Sequence, residues 1–276
     1  MTWFWLWWTR VCRFLMTGRE ALVVQRRDDY GALRITENSE GYRFLYFGSL
    51  TEQSCVFMPD PAWLEYDYTR AMQLANFWVP APAQMTLLGL GGGALANSLL
   101  RHFDPQQVTA VELRREVVTL AREWLGLSED PRLQVRIGCA ERYIDSAAAS
   151  CDLLFVDLYM EGGLSRLQLQ SGFFHKCQQA LRPGGVLVIN QWQMGESGLP
   201  YGASLLNELF GDQYLQVQVE EGNILLFIPA AGQPPLNLDR PAMHDWAAGL
   251  QQRLGYSLQL YINNLHRAAD VVAPAD

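Results

Sequence analysis

The sequence predicts an α/β protein in which a doubly wound parallel sheet follows a small antiparallel β domain. From Met85 onward, short apolar runs alternate with stretches of helical length and spacing, which is typical of βαβ units. One run, at 151–159, is almost continuously apolar, as expected of a strand covered on both faces. Before Met85, alternating runs between Ala21 and Leu50 are separated by turn residues, which favours an antiparallel meander.

The chain is predicted to have three parts. Residues 60–78 open with Asp-Pro and carry apolar side chains at helical spacing, so we predict a helix that leaves the β domain. The proline-containing run VPAPAQ at 79–84 resists regular structure and marks a domain boundary. The predicted parts are a Trp-rich N-terminal segment (1–20), the β domain with its exit helix (21–80), and a nucleoside-binding domain with a C-terminal helix (81–276).

The nucleoside-binding domain is predicted to alternate strands and helices. The predicted strands are 85–90, 107–113, 133–138, 151–159 and 186–192. The predicted helices are 95–103, 115–127, 140–145, 171–181 and 203–211. A hairpin should follow, turning at Glu221-Gly222-Asn223, and a loop should lead to a last helix at 244–254.

Composition limits the partners. The 276 residues are 49% hydrophobic with a net charge of −8, which argues against nucleic acid as a ligand and suits a cationic substrate. The five cysteines are scattered and lack C-x-x-C pairing, which favours a reducing cytosol and no structural zinc. Their positions are Cys12, Cys55, Cys139, Cys151 and Cys177. We therefore expect a cytoplasmic protein without a bound metal.

The N-terminal segment is rich in tryptophan. It lacks a basic region before its apolar run and is too short to span a membrane. Its indole rings and arginines could form an interfacial helix on a membrane surface. A helix packed on its own domain, an oligomer contact and a start codon placed too early are the alternatives, and together they are favoured over membrane contact.

The first β–α turn of the second domain, GLGGG, indicates a nucleoside site. Gly89, Gly91 and Gly93 allow a tight turn and close approach of a ligand to the backbone. The dinucleotide pattern G-x-G-x-x-G is not met, so an adenosyl sulfonium is favoured over NAD.

Further candidates end the next strands of the predicted sheet. Glu112 follows Gly93 by 19 residues, where a carboxylate accepts hydrogen bonds from ribose hydroxyls. Cys139 and Ala140 follow the third strand, in a turn that commonly contacts adenine. Ligands bind beyond the carboxyl ends of such strands, so the sequence predicts one adenosine site there.

Asp157 ends the fourth strand and should project into the mouth of the same cleft. A carboxylate after four apolar residues is poorly explained as a solvated surface group. Tyr159 and Glu161 lie in the same loop. We interpret Asp157 as the candidate catalytic residue.

The order glycine turn, Glu112, Gly138-Cys139-Ala140, Asp157 and LRPGGVLVIN resembles the spermidine synthase family, the polyamine aminopropyltransferases. The likeness covers about residues 42–230 and includes the preceding β domain, with Gln53 and Tyr68 at matching places. It implies a Rossmann-like domain of the type found in S-adenosylmethionine-dependent methyltransferases.

The resemblance also implies a reaction. An amine attacks the carbon beside the sulfonium of decarboxylated S-adenosylmethionine, which transfers an aminopropyl group and releases methylthioadenosine. Asp157 would act as the base, because a protonated amine is not a nucleophile. Gln53 and the adenosine-site residues would bind the co-substrate, and Tyr68, Tyr159 and Glu161 would bind the amine. We expect no metal, and a homodimer.

The sequence also departs from the family pattern. Gly92 and Ala94 offer no acid in the glycine turn, and Cys139 and Met160 stand where the family has aspartates. Arg70 stands where the family has a glutamate. Acids elsewhere could rebuild an amine site, namely Glu65, Asp67, Glu196 and Glu221.

Two other functions stay open at this point. One is S-adenosylmethionine-dependent methyl transfer, because the loop acid is a device that selects the decarboxylated co-substrate. The other is a binding protein that has lost catalysis.

Overall fold

The computed structural model describes residues 20–48, 51–195, 197–211 and 213–270. The Trp-rich segment, apart from Glu20, lies outside the described residues, as does Glu196. Within the described ranges, no helix has both the length and the apolar character needed to cross a membrane.

The first sheet has four antiparallel strands in chain order, which confirms the predicted meander. They are β1 (Ala21–Asp28), β2 (Gly31–Glu37), β3 (Tyr42–Phe47) and β4 (Thr51–Phe57). Leu33, Ile35 and Leu45 are fully buried on one face of this sheet, where they pack with Val117 and Leu120 of the second domain. The small sheet is thus tied to the larger domain by an apolar core.

The single exit helix predicted for 60–78 is wrong. The helical parts are α1 (Asp67–Met72) and α2 (Ala75–Trp78), and residues 60–66 are not helical. Tertiary contacts explain the late start, because the backbone oxygens of Pro61 and Leu64 accept hydrogen bonds from the side chains of Asn97 and Arg70.

The second sheet has eight strands. In chain order they are β5 (Gln84–Leu88), β6 (Gln107–Glu112), β7 (Leu133–Ile137), β8 (Cys151–Val156), β11 (Leu181–Trp192), β12 (Leu215–Gln218), β13 (Asn223–Pro229) and β14 (His266–Arg267). The spatial order is β14-β12-β13-β11-β8-β5-β6-β7. The strands from β11 to β7 are parallel, and β12 and β13 form the predicted antiparallel hairpin. A short two-stranded ribbon, β9 (Tyr159–Met160) and β10 (Gly163–Leu164), follows β8.

Helices cover both faces of this sheet. They are α3 (Ala94–Phe103), α4 (Arg115–Trp124), α5 (Ala140–Ile144), α6 (Ser171–Ala180), α7 (Ala203–Phe210), α8 (Arg240–Leu254) and α9 (Gln259–Asn264). Side chains alternate between faces along β8. Leu153 and Phe155 join the core under α3 and α8, whereas Leu154 and Val156 join the core under α6 and α7. The predicted doubly wound α/β fold is confirmed.

Candidate functional site

The glycine turn lies between β5 and α3. Gly89, Gly91 and Gly93 all have positive φ, at +100°, +54° and +86°, which L-residues with a side chain rarely adopt. A Cβ on Gly89 would overlap the backbone oxygen of Asp157, and one on Gly91 would overlap Oγ of Ser54. The turn is therefore fitted closely between the end of β8 and strand β4 of the small sheet.

Glu112 is the last residue of β6 and is buried. Its Oε2 accepts a hydrogen bond from the N–H of Leu90 at 3.1 Å, and its Oε1 accepts one from the N–H of Arg114 at 2.9 Å. Burial raises the pKa of Glu112, and these backbone bonds oppose that rise. A carboxylate has about four lone-pair sites, so it keeps acceptor capacity for the hydroxyls of a ribose.

The third turn lies next to Glu112. The N–H of Gly138 donates to the backbone oxygen of Glu112 at 2.9 Å. Cys139 precedes α5 and is half-buried, Ala140 is buried, and a Cβ on Gly138 would meet nothing within 4 Å. Open space at Gly138 suits a turn that borders a ligand.

Asp157 follows β8 immediately, and its N–H donates to the backbone oxygen of Leu88 at 2.9 Å. Nδ2 of Asn190 donates to Oδ1 of Asp157 at 2.8 Å. Burial raises the pKa of Asp157 to about 6, although the bond from Asn190 opposes the rise. Near neutral pH, Asp157 is ionised and basic enough to accept a proton.

A buried network surrounds Asn190, which is 1% exposed. Its Oδ1 accepts from Nδ2 of Asn223 at 2.8 Å, and its backbone oxygen accepts from Nε2 of Gln168 at 2.7 Å and from the hydroxyl of Tyr159 at 3.3 Å. Sequence reasoning missed Asn190, Asn223 and Gln168. Asn190 interrupts the apolar run VLVIN, and that polar position in a buried strand was the available signal.

Tyr68 lies among the acidic groups. Its ring stacks on Tyr66, with 5.6 Å between centroids and 17° between planes. Burial raises the pKa of Tyr68 well above its usual value, and the negative charges of Asp157, Glu221 and Glu52 raise it further. The fold thus brings acids from three distant parts of the chain towards one phenol.

Of these acids, the sequence indicated Glu221 but not Glu52 as a candidate. Glu221 was one of the acids considered for an amine site, and its Oε1 accepts from the N–H of Asp67 at 2.7 Å. Glu52 was missed, because nothing local separates it from an exposed strand residue; it bonds the hydroxyl of Tyr66. Glu65 instead faces Arg70, with 3.8 Å between Oε2 and Nη2.

The remaining candidates lie on the small sheet or against it. Nε2 of Gln53 donates to the backbone oxygen of Glu52 at 3.5 Å. The carboxylate of Glu161 lies against Gly31 and Gly48, where a Cβ on Gly48 would overlap it. Their roles in co-substrate and amine binding stay predictions.

Among the residues that the structure describes, the acidic, cysteine and histidine side chains form no evident metal site. In the part of the chain that the structure describes, no group of three or more His, Cys, Asp or Glu side chains could hold a metal ion.

Comparisons with known proteins find relatives of this chain. Residues 68–197 match the model of the spermine/spermidine synthase domain. A polyamine aminopropyltransferase of Chromobacterium violaceum is 28% identical over 229 residues, which cover 81% of this chain and 85% of that protein.

Solved structures are similar in fold. A spermidine synthase in complex with the transition-state analogue AdoDATO has a TM-score of 0.68 at 17% identity, covering 92% of this chain and 84% of that one. Human methyltransferase-like protein 13 in complex with SAH has a TM-score of 0.57 at 22% identity, covering 68% and 92%. The family model and the relatives together support the assignment of the chain to the spermidine synthase family.

Proposed function

We propose that this protein is an aminopropyltransferase that joins the aminopropyl group of decarboxylated S-adenosylmethionine to an amine acceptor, with Asp157 as the base. One observation carries the proposal. The carboxylate of Asp157 is half-buried with a raised pKa, and its charge acts on Tyr68 and Tyr159, while the backbone oxygen of Asp157 lies against Gly89 of the glycine turn.

Asp157 would make the acceptor nucleophilic. It takes a proton from the acceptor ammonium, and the freed lone pair attacks the carbon beside the sulfonium. The new C–N bond forms as the C–S bond breaks, and the electron pair of the C–S bond stays on sulfur in the leaving methylthioadenosine. Asn190 holds the carboxylate during this step through its bond to Oδ1.

The nucleoside would lie on the ends of β5, β6 and β7. The backbone amides of the glycine turn would face it. Glu112 would accept hydrogen bonds from the ribose hydroxyls, and Cys139 and Ala140 would contact the adenine.

The amine would lie beside Tyr68 and Tyr159. The charges of Glu52 and Glu221 reach Tyr68, so a cation there gains the attraction of carboxylates in a poorly solvated place. A phenol face also attracts ammonium groups. Gln53 and Glu161 are proposed to complete the co-substrate and amine contacts from the small-sheet side.

Methyl transfer is a second candidate, supported by Gly92 and Ala94. Neither side chain can bind an aminopropyl ammonium, so the turn itself does not select the decarboxylated co-substrate.

Calorimetry and a transfer assay distinguish these functions. We would titrate methylthioadenosine, S-adenosylmethionine and its decarboxylated form into the wild type and Asp157→Asn, and then incubate each sulfonium with a panel of diamines and monoamines. Aminopropyl products with the wild type but not with Asp157→Asn are expected, with nucleoside binding kept in both. Methylated products would support the second candidate, and failure of all three ligands to bind would exclude both.

A further inference from the structure

Arg114 connects the candidate nucleoside site to the small sheet. It follows Glu112 by two residues, and its side chain is 3% exposed. Its Nε donates to Oδ2 of Asp28 at 2.9 Å and its Nη2 donates to Oδ1 of Asp28 at 2.7 Å. Nη2 also donates to the backbone oxygen of Gly31 at 3.1 Å. This two-point ion pair fixes both the distance and the angle between β6 and the β1–β2 hairpin.

Aromatic rings enclose the same guanidinium. Its Cζ lies 4.5 Å from the ring centroid of Phe47 and 5.9 Å from that of Tyr30. A guanidinium over an aromatic face is stabilised by the ring quadrupole. Asp28, Gly31, Tyr30 and Phe47 all belong to the small sheet or its first hairpin, so the Arg114 side chain contacts one structural unit.

The main chain of Arg114 contacts the other unit. Its N–H donates to Oε1 of Glu112 at 2.9 Å. Its positive charge also lowers the pKa of Glu112 against the effect of burial. The backbone N–H groups of Leu90 and Gly91 also lower the pKa of Glu112.

A second contact joins the small sheet to the glycine turn. Oγ of Ser54, in β4, accepts a hydrogen bond from the N–H of Gly92 at 2.8 Å. The small sheet therefore reaches the candidate nucleoside site at the glycine turn and at Glu112.

We propose that Arg114 is a positioning residue: its ion pair with Asp28 anchors the backbone that orients Glu112, so that the small sheet sets the affinity for the nucleoside. This inference rests on the proposed function, because it takes Glu112 to bind a ribose. A carboxylate whose supporting partners are removed loses orientation, and such losses weaken ligand binding by roughly 10- to 100-fold at well-studied metal sites.

The test compares Arg114→Met, Arg114→Lys and Asp28→Asn, with Asp130→Asn as the matched control. Asp130 forms an ion pair with Arg132 at 2.8 Å, apart from the candidate site. Methylthioadenosine affinity is measured by calorimetry from about pH 5 to pH 8. The ionisation of Glu112 is followed without nucleoside by carbon-13 NMR of labelled glutamate, assigned with Glu112→Gln.

Arg114→Met and Asp28→Asn are expected to weaken methylthioadenosine binding by roughly tenfold, and Arg114→Met to move the titration of Glu112 to higher pH. Arg114→Lys should restore the titration, because the charge is kept, and only part of the affinity, because the two-point bond is lost. Asp130→Asn should change neither quantity.

The proposal is overturned if folded Arg114→Met or folded Asp28→Asn binds methylthioadenosine as tightly as the wild type does. Circular dichroism identifies the folded variants, and Asp28→Asn is the milder change should Arg114→Met unfold. If the wild type itself binds no methylthioadenosine, the proposed function fails. An unshifted Glu112 titration in folded Arg114→Met would separately refute the link from Arg114 to Glu112.

Discussion

Nδ2 of Asn190 lies 2.8 Å from Oδ1 of Asp157 and donates a hydrogen bond to it. The bond follows from sheet order, because β8 and β11 are parallel neighbours with Val156 opposite Ile189. The next residue of each strand is then brought side by side at the same edge. This bond lowers the pKa of Asp157, whereas burial raises it by more, and the balance is about 6.

The pH dependence of transfer should report this balance. A general base must be ionised, so kcat/KM is expected to fall about tenfold per pH unit below the pKa of Asp157, which is about 6. Initial rates between about pH 5 and pH 8 provide the check, with the same profile recorded for binding. A flat kcat/KM profile across that range would remove Asp157 from the role of base.

Replacement of Asn190 should change the pH at which kcat/KM begins to fall. Asn190→Leu deletes the bond that lowers the pKa of Asp157, so the fall in kcat/KM should begin at higher pH than in the wild type. Asn207→Ala serves as the control, because Asn207 bonds Tyr214 instead. If kcat/KM of folded Asn190→Leu falls at the same pH as that of the wild type, this bond does not set the pKa of Asp157.

Asp157→Asn is expected to be more stable than the wild type near neutral pH. The folded-state pKa of Asp157 is raised from 3.8 to about 6. Its contribution to stability is therefore greatest below about pH 4 and is lost as pH rises through about 6. An amide does not ionise in this range, so the substitution removes that loss of stability. The amide oxygen can still accept the hydrogen bond from Asn190.

The gain in the free energy of unfolding should be about 1–2 kcal/mol, less than the full two-unit shift because the side chain is partly exposed. Denaturant melts near neutral pH and near pH 4 give the comparison, and the gain should vanish at the lower pH. An equal gain at both pH values would trace the effect to packing instead of ionisation.

Gly89→Ala should lose both stability and nucleoside binding. The new methyl group would overlap the backbone oxygen of Asp157. The alanine would also have to adopt the unfavourable φ of +100°. Gly184→Ala is the matched control, because Gly184 also has positive φ, at +82°, but has no atom within 4 Å of a Cβ.

Backbone strain alone should cost Gly184→Ala about 1–2 kcal/mol of unfolding free energy. Gly89→Ala should cost clearly more and weaken methylthioadenosine binding, whereas Gly184→Ala should bind normally. Equal losses in the two variants, measured by denaturant melts and calorimetry, would show that the Asp157 backbone can move aside.

Much of the fold could be predicted because its signals are local. Strand and helix periods predicted the βαβ order and the β12–β13 hairpin, although its turn lies one residue earlier than predicted, because Asn223 begins β13. The exit helix failed at its start, where the backbone oxygens of Pro61 and Leu64 bond the side chains of Asn97 and Arg70, partners that apolar spacing does not reveal.

The sequence by itself determined which groups end the parallel strands: the glycine turn, Glu112 and Asp157. The reason is that all carboxyl ends of such strands meet at one edge of the sheet. Only the tertiary structure decided their partners, such as Asn190 for Asp157 and Arg114 with Asp28 beside Glu112. These contacts join residues far apart in the chain, and they depend on strand order and on how the small sheet packs, which no local pattern encodes.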